Sequence, residues 1–289
     1  MAEGWTDGRR TRIGRTRGHV SALRAARLRA IGPAGVFAAS LAALLATLFA
    51  ALFAALLALA APAWADMSKV CRVPDILLTF DSDLTRTERL VDRSQPVRIL
   101  LIGPQPDRLA FSQHKRSRLE VELNRRLPDI VFTIIEEGPQ PGLAREDFQR
   151  IRSAIEQYEP DLVIWQIGTG DALAATDPED FAHTLEQAAD YLKGRNIDLV
   201  LIDPPFVPNV SHEQLYGRIV NQIDTISDQE KMNVVQQYAA TSYLLSQPAS
   251  APAAAPAEPP PQAPSPAEQK TRLCMPELVA EAIVRAVTR

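Results

Sequence analysis

A short motif with two glycines and an aspartate follows an apolar run near the middle of this 289-residue chain. Residues 162–167 read LVIWQI, and Gly168-Thr169-Gly170-Asp171 comes next. Such a short uncharged run predicts a strand buried on both faces. Glycines let a backbone approach a ligand closely, because no Cβ is in the way, and ligands of open α/β sheets bind where strands end. We therefore expect a ligand site in this loop; the alternative is a plain strand-to-helix turn.

Other residues suited to catalysis or metal binding are sparse. The chain has no CxxC, no HExxH and no histidine cluster, so the sequence supports neither a metal site nor a cofactor. The four histidines are expected at the surface: His19, His114, His183 and His212. The only two cysteines are Cys71 and Cys274. In an oxidising compartment this pair predicts a disulfide, with two separate buried thiols as the alternative.

The first 65 residues have the pattern of an export signal. Residues 1–30 carry eight arginines, residues 31–65 carry no charge, and Ala63-Trp64-Ala65 is a small-x-small cleavage site. We expect cleavage after Ala65. Because the apolar run is long enough to cross a bilayer of about 30 Å, an uncleaved anchor is the alternative. In both cases the remainder is expected outside the cytoplasm, either periplasmic or extracellular or anchored to the inner membrane facing out, with membrane contact only through the N-terminal segment.

The remaining residues, 66–289, are acidic. The chain has 31 basic and 35 acidic residues, of which eight arginines and two acids fall in residues 1–65, so residues 66–289 carry a net charge of −10. Polyanions are bound by clustered basic surface, and this balance argues against a nucleic-acid partner.

Apolar runs and amphipathic segments alternate along residues 66–289. Strands are predicted at 97–103, 129–136, 162–167, 197–203 and 232–238. Helices are predicted at 113–126, 143–158, 178–194, 212–227 and 276–288, the last with Pro276 in its first turn. The alternation predicts a flavodoxin-like, doubly wound parallel sheet with helices on both faces. Its ligand crevice should lie at the carboxyl ends of the first and third strands.

One segment cannot belong to a packed core. Residues 247–269 consist almost wholly of Ala, Pro, Ser and Gln, with eight prolines between positions 248 and 266. This composition predicts a disordered or polyproline-like tract. We therefore divide the chain into an N-terminal segment at 1–65, an α/β domain at 66–246, the Pro/Ala-rich tract at 247–269, and a helix at 270–289 that returns to the same domain.

Several blocks resemble the SGNH/GDSL hydrolases, particularly exported bacterial members. They are ILLIG at 99–103, VIWQIGTGDAL at 163–173 and LVLIDPPFVP at 199–208. At the flanks, VCRVPDIL at 70–77 and LCMPELVAEAI at 273–283 resemble that family's cysteine-bearing terminal segments. The resemblance implies a three-layer sandwich and hydrolysis of acyl or acetyl esters. It also implies a serine nucleophile, oxyanion donors from a glycine and an asparagine, and an Asp-x-x-His base before the last helix.

The chain departs from that pattern at most of its chemical positions. The nucleophile position holds Gln105, which cannot form an acyl-enzyme, and the oxyanion asparagine is replaced by Gly170. Gly138 matches the glycine donor, and Asp171 is retained. No histidine follows His212, so the expected base is absent.

Substitute groups are few. Ser112 and His114 are too close in sequence to face each other on a helix. A pair of Asp203 with His212 would have no serine to serve.

We therefore expect a catalytically degenerate protein with a binding or structural role in the bacterial envelope, and a carbohydrate or acyl ester as its possible ligand. One alternative is an active esterase or acetyl-ester hydrolase with a rearranged site. Another is an envelope adaptor that binds a protein partner through the Pro-rich tract.

Overall fold

A computed structural model of the chain describes residues 67–103, 117–137, 142–206, 213–247 and 266–289. These residues contain five strands: β1 (Val97–Ile102), β2 (Phe132–Glu137), β3 (Leu162–Gln166), β4 (Asp198–Ile202) and β5 (Asn233–Val235). Every neighbouring pair is parallel, and the strand order is β2-β1-β3-β4-β5. This is the flavodoxin-like order, so the predicted fold class is confirmed.

Eight α-helices lie in the described residues: α1 (Thr85–Asp92), α2 (Arg118–Arg126), α3 (Ala144–Tyr158), α4 (Thr169–Ala174), α5 (Pro178–Lys193), α6 (Glu213–Glu230), α7 (Gln237–Ser246) and α8 (Pro266–Val287). Two 3₁₀ turns precede α1, at Lys69–Cys71 and Asp75–Leu78.

Helices cover both faces of the sheet. Successive strand residues point to opposite sides and therefore enter two separate cores. In β1, Ile99 and Leu101 pack into a core shared with α1, α2, α8 and the 3₁₀ turns, whereas Leu100 packs into a core shared with α3, α5 and α6. In β3, Ile164 belongs to the first core and Trp165 to the second. The arrangement is the three-layer sandwich expected from the sequence.

Three predicted boundaries are wrong. The strand predicted at 232–238 ends at Val235, and α7 begins at Gln237. The loop predicted after β3 is the short helix α4. The last helix begins at Pro266, so Pro276 lies inside the helix rather than in its first turn.

Two of these errors have a physical cause that can be named. Helix α4 has six residues, which is too few for a helical period to show, and α7 buries Gln237 and Thr241 beside its apolar residues. A buried polar side chain breaks the apolar pattern by which a helix is identified.

The N-terminal segment and residues 248–265 of the Pro/Ala-rich tract lie outside the described residues. Within the described ranges, no helix is both long and apolar enough to cross a membrane.

The predicted disulfide is confirmed. Cys71 and Cys274 are bonded across 203 residues of sequence, and their Cα atoms are 5.1 Å apart. Both cysteines are buried. The bond fastens the first 3₁₀ turn to α8, and the Ser68 amide beside it donates a hydrogen bond to the Glu277 carboxylate of α8 at 2.9 Å.

We predict that the double variant Cys71→Ser with Cys274→Ser loses about 2–5 kcal/mol of unfolding free energy, because the unfolded chain is freed from a long loop constraint. Denaturant unfolding measures the loss, and reduced wild-type protein serves as the matched control. Unfolding midpoints equal to that of the oxidised wild type would contradict the prediction.

Candidate functional site

The ends of β1 and β3 meet at the predicted crevice. Gly103 follows β1 with φ 119°, and a Cβ built there would lie 2.7 Å from the carbonyl oxygen of Gln166. Only glycine fits such a close approach of two backbones in this conformation. The sequence between residues 104 and 116, which includes Gln105, Ser112 and His114, lies outside the described residues.

Helix α4 replaces the predicted ligand loop. Gly168 is the N-cap of this helix and has φ 90°. It packs closely against α6, where a Cβ would lie only 2.6 Å from Ile219 Cγ2, so a larger residue would not fit. The motif therefore forms a strand-to-helix turn, and the helix that it begins forms part of the wall of the cavity described below.

Gly170 lies in the first turn of α4, where the resemblance places an asparagine. A Cβ at this position would meet the carbonyl oxygen of Gly142 and would lie 2.8 Å from its carbonyl carbon. It would also lie 3.4 Å from the amide nitrogen of Leu143. The backbone that leads into α3 thus fills the space in which an asparagine side chain would begin. The position has neither an amide donor nor room for one.

Asp171 is buried and caps α3. Its Oδ2 accepts a hydrogen bond from the Ala144 amide, the first of α3, at 3.0 Å, and its Oδ1 accepts one from the Thr176 hydroxyl at 3.1 Å. A carboxylate at a helix N-terminus satisfies a free amide and the positive end of the helix dipole. Burial raises the pKa of Asp171, although these hydrogen bonds oppose the rise. Asp171 therefore has a structural task in the described site.

A second buried carboxylate, Asp147, lies close by on α3. Trp165 Nε1 of β3 donates to its Oδ2 at 3.2 Å, and the Arg150 guanidinium pairs with its Oδ1. Burial raises the pKa of Asp147, while Trp165 and Arg150 lower it. The sequence analysis missed Asp147. The available signal was Trp165, because a buried indole N–H needs an acceptor.

Asp203 follows β4 at the same edge of the sheet. It is buried, and its Oδ1 accepts a hydrogen bond from the Tyr238 amide in the first turn of α7 at 3.0 Å. Burial raises the pKa of Asp203 to about 8, and the nearby Asp224 carboxylate adds to the rise. Its proposed partner His212 lies outside the described residues. Asp203 thus serves as the cap of α7.

Side-chain amide and hydroxyl groups also form hydrogen bonds at the carboxyl edge of the sheet. Gln166 Nε2 donates to Gln237 Oε1 at 3.3 Å, and the Thr241 hydroxyl donates to the Gln237 carbonyl at 2.7 Å. The same hydroxyl accepts from the Phe206 amide at 2.8 Å, which holds the start of the connection after β4 on α7. The polar groups of β3, β4 and α7 therefore bond to one another.

An open cavity of about 390 Å³ lies beside Asp171, between α4, the start of α5 and α6. Its walls combine apolar with polar side chains: Ala172, Ala175, Pro178, Leu215, Ile219, Thr176, Asp177, Arg218, Asn221 and Gln222. Arg218 forms no ion pair within the described part of the chain. Apolar walls with a few polar groups are the usual composition of a small-molecule site.

The other predicted site residue, Gly138, also lies outside the described residues. His183 is exposed on α5, as expected of a surface residue. Over the described ranges, no group of three or more His, Cys, Asp or Glu side chains is arranged to hold a metal ion.

The chain belongs to the Non-GDSL lipase-like family, whose model matches residues 70–289. Together with the parallel strand order β2-β1-β3-β4-β5, this membership makes it an SGNH/GDSL-hydrolase-like protein. None of the curated proteins matches the sequence.

Several solved structures are similar to this chain at low identity. TesA is 17% identical over 47% of this chain and 76% of its own, with a TM-score of 0.40. The acetylxylan esterase Axe2 from Geobacillus stearothermophilus is 14% identical over 67% of this chain and 94% of its own, with a TM-score of 0.48. The psychrotrophic esterase EstA from Pseudoalteromonas sp. is 16% identical over 47% and 75%, with a TM-score of 0.39.

We predict opposite effects for two glycine-to-alanine changes. Gly170→Ala should destabilise the fold by about 1–3 kcal/mol, because its Cβ meets the Gly142 backbone. Gly217→Ala, inside α6 with no described atom within 4 Å of its added Cβ, should stabilise by about 0.5–1 kcal/mol. Denaturant unfolding of both variants measures the difference, and a stabilising Gly170→Ala would show that the space is open.

We also predict a pH signature for Asp203→Asn. The folded chain keeps the Asp203 proton up to its pKa of about 8, whereas the unfolded chain releases it near the ordinary aspartate pKa of 3.8. Rising pH between these values therefore lowers the unfolding free energy of the wild type, by at most about 1.4 kcal/mol per pH unit. Asparagine can accept the same hydrogen bond but cannot ionise.

The variant should thus gain stability relative to wild type as pH rises from 4 to 8. Urea unfolding of both proteins across this range measures the gain. Parallel stability curves would mean that Asp203 ionises normally in the folded state.

Proposed function

We propose that this chain is an exported member of its family that has lost ester hydrolysis and binds a carbohydrate or acyl-ester ligand at the bacterial envelope. The observation that carries the proposal is the packing at Gly170. The residue that would donate to an oxyanion is missing, and the Gly142–Leu143 backbone fills its place. An asparagine side chain could be accommodated at position 170 only if this backbone moved.

The carboxylates support the same conclusion. A serine-hydrolase base must be free to take a proton from the nucleophile. Asp171 and Asp203 instead accept hydrogen bonds from the first amides of α3 and α7. With Gln105 in the nucleophile position, acyl transfer also has no covalent route. Oxyanion donors and binding alone leave only a small residual rate.

A binding role needs a cavity, and one is present beside Asp171. Its apolar wall suits an acyl chain or the face of a sugar ring, and Arg218, Asn221 and Gln222 offer hydrogen bonds to hydroxyl or ester oxygens. The export signal at residues 1–65 and the disulfide support a location outside the cytoplasm.

We predict no serine-type ester hydrolysis above a trace level. The purified protein should leave a short-chain aryl ester unhydrolysed and should not be labelled by a serine-directed phosphonate. An active esterase assayed in parallel provides the positive control.

Turnover at ordinary enzyme rates, about 1–10³ per second, with covalent labelling of a serine, would overturn the proposal. Labelling at Ser112 in particular would favour the rearranged esterase.

A further inference from the structure

A tyrosine on α5 lies close to two arginines from different elements. The centroid of the Tyr191 ring is 3.7 Å from Arg195 Cζ and 5.4 Å from Arg152 Cζ. Arg152 belongs to α3, and Arg195 follows the end of α5. We call these three residues the arginine–tyrosine cluster. Both arginines are exposed and Tyr191 is half-buried, so the guanidinium groups are accessible to a ligand from solvent.

The surrounding contacts hold the ring and one of its arginines in place. Phe148 of α3 packs edge-on against Tyr191, with ring centroids 5.7 Å apart. The turn that carries Arg195 is closed at the Leu192 carbonyl, which accepts the Arg195 amide at 3.0 Å and the Ile197 amide at 3.1 Å. A guanidinium that already stacks on an aromatic face loses less freedom when it binds an anion. The cluster is therefore pre-organised for binding.

Neither arginine of the cluster forms an ion pair within the described part of the chain. The carboxylates near them in sequence do not neutralise them, because Glu156 and Asp190 pair with neither arginine and Asp198 accepts the amides of α1. The domain as a whole is acidic, with a net charge of −10 over residues 66–289. The arginines that do form ion pairs in the described ranges are Arg86, Arg98, Arg125, Arg126, Arg150, Arg285 and Arg289.

Simpler roles do not account for both arginines. The helix dipole favours a cation just after the last turn of α5, which explains Arg195 but not Arg152 in the middle of α3. Stacking on a tyrosine stabilises one guanidinium, but here two lie against the same ring. Their Cζ atoms are at most about 9 Å apart, because both distances are measured to one centroid, and like charges at this distance repel. An anion bound between them would remove the repulsion.

A phosphate monoester has the charge and shape that the cluster requires. Its charge of about −1.5 to −2 matches two guanidinium groups, whereas a carboxylate matches only one. Each guanidinium presents paired N–H donors that bind phosphate oxygens at about 2.8 Å. One phosphate contacted from two sides can therefore bridge the two arginines.

We propose that the arginine–tyrosine cluster binds the phosphate group of a phosphate monoester. The site is separate from the cavity beside Asp171. Pro178 lines that cavity at the start of α5, and Tyr191 lies about 20 Å further along the same helix. The proposal therefore does not depend on which ligand the cavity binds or on whether the chain hydrolyses esters.

Calorimetric titration of the purified full chain tests the proposal. Inorganic phosphate and glucose 1-phosphate should show saturable binding, whereas acetate and glucose should bind more weakly by about tenfold or more. Vesicles that contain phosphatidic acid form a third arm, because this lipid carries the same phosphate group. The arm with the tightest binding identifies the source of the phosphate, and binding in that arm should require both arginines.

Variants separate the cluster from its charge alone. Arg152→Gln and Arg195→Gln should each weaken binding about tenfold, which corresponds to about 1.4 kcal/mol. Tyr191→Leu keeps both charges but removes the ring, and it should weaken binding about threefold, whereas Tyr191→Phe keeps the ring and should bind like wild type. Arg272→Gln is the matched control, because it removes one cation from α8 on the opposite face of the sheet and should leave binding unchanged.

Circular dichroism checks that each variant is folded, as expected for changes at exposed arginines. The absence of saturable binding in all three phosphate arms would overturn the proposal. Binding that survives both Arg152→Gln and Arg195→Gln, or that Arg272→Gln weakens equally, would also overturn it. So would self-association that Arg195→Gln abolishes in a chain that does not bind phosphate, because the cluster would then contact an acidic surface of a second copy.

Discussion

Buried or half-buried aspartates join the helices to the ends of the strands, and the rest of the structure depends on these joints. Asp171 caps α3, Asp203 caps α7, and Asp198 accepts the Arg86 and Thr87 amides of α1 at 3.2 and 2.7 Å. In each case the carboxylate belongs to one element and the helix terminus to another. Burial raises the pKa of all three, with desolvation as the largest cause. These hydrogen bonds therefore fix the positions of the helix termini, while the buried carboxyl groups lose favourable solvation.

Aspartates accept backbone amides at both ends of the sheet, but the two contacts have different consequences. At the amino end, Asp161 accepts the Arg98 amide and pairs with Arg86, which fixes α1 below β1 and β3. At the carboxyl end, Asp171 sets the position of the first turn of α3. That position brings the Gly142 carbonyl onto Gly170. A helix cap and the closure of the candidate oxyanion site are thus two consequences of one contact.

The sequence predicted the parts of the fold that follow from burial. Strands β1, β3 and β4 are short apolar runs because both faces of the sheet are covered, and their parallel order follows from the helices between them. The disulfide could be predicted because two cysteines flank one exported domain. Helix α7 could not, since its buried Gln237 and Thr241 bond to neighbours that are distant in sequence.

At the site, too, the residue types can be read from the sequence, whereas their contacts with residues distant in sequence cannot. The sequence shows a glycine at position 170, where the resemblance implies an asparagine, but the packing at this position depends on a backbone 28 residues earlier in the chain. Asp171 looks like a surviving catalytic residue only until its partner, the Ala144 amide, is known. A motif gives the type of side chain, whereas tertiary structure decides whether that side chain is available.

The described fold does not depend on groups of the kind that hydrolyse esters. The sheet core, the disulfide and the aspartate caps involve no nucleophile and no oxyanion donor, so the described structure is supported whether or not such groups are present. The two aspartates of the site do contribute to the fold, because Asp171 and Asp203 accept hydrogen bonds from the first turns of α3 and α7. A substitution at either aspartate would therefore act first on the helix it caps, and a loss of binding there would report a change of structure before it reported a change of chemistry.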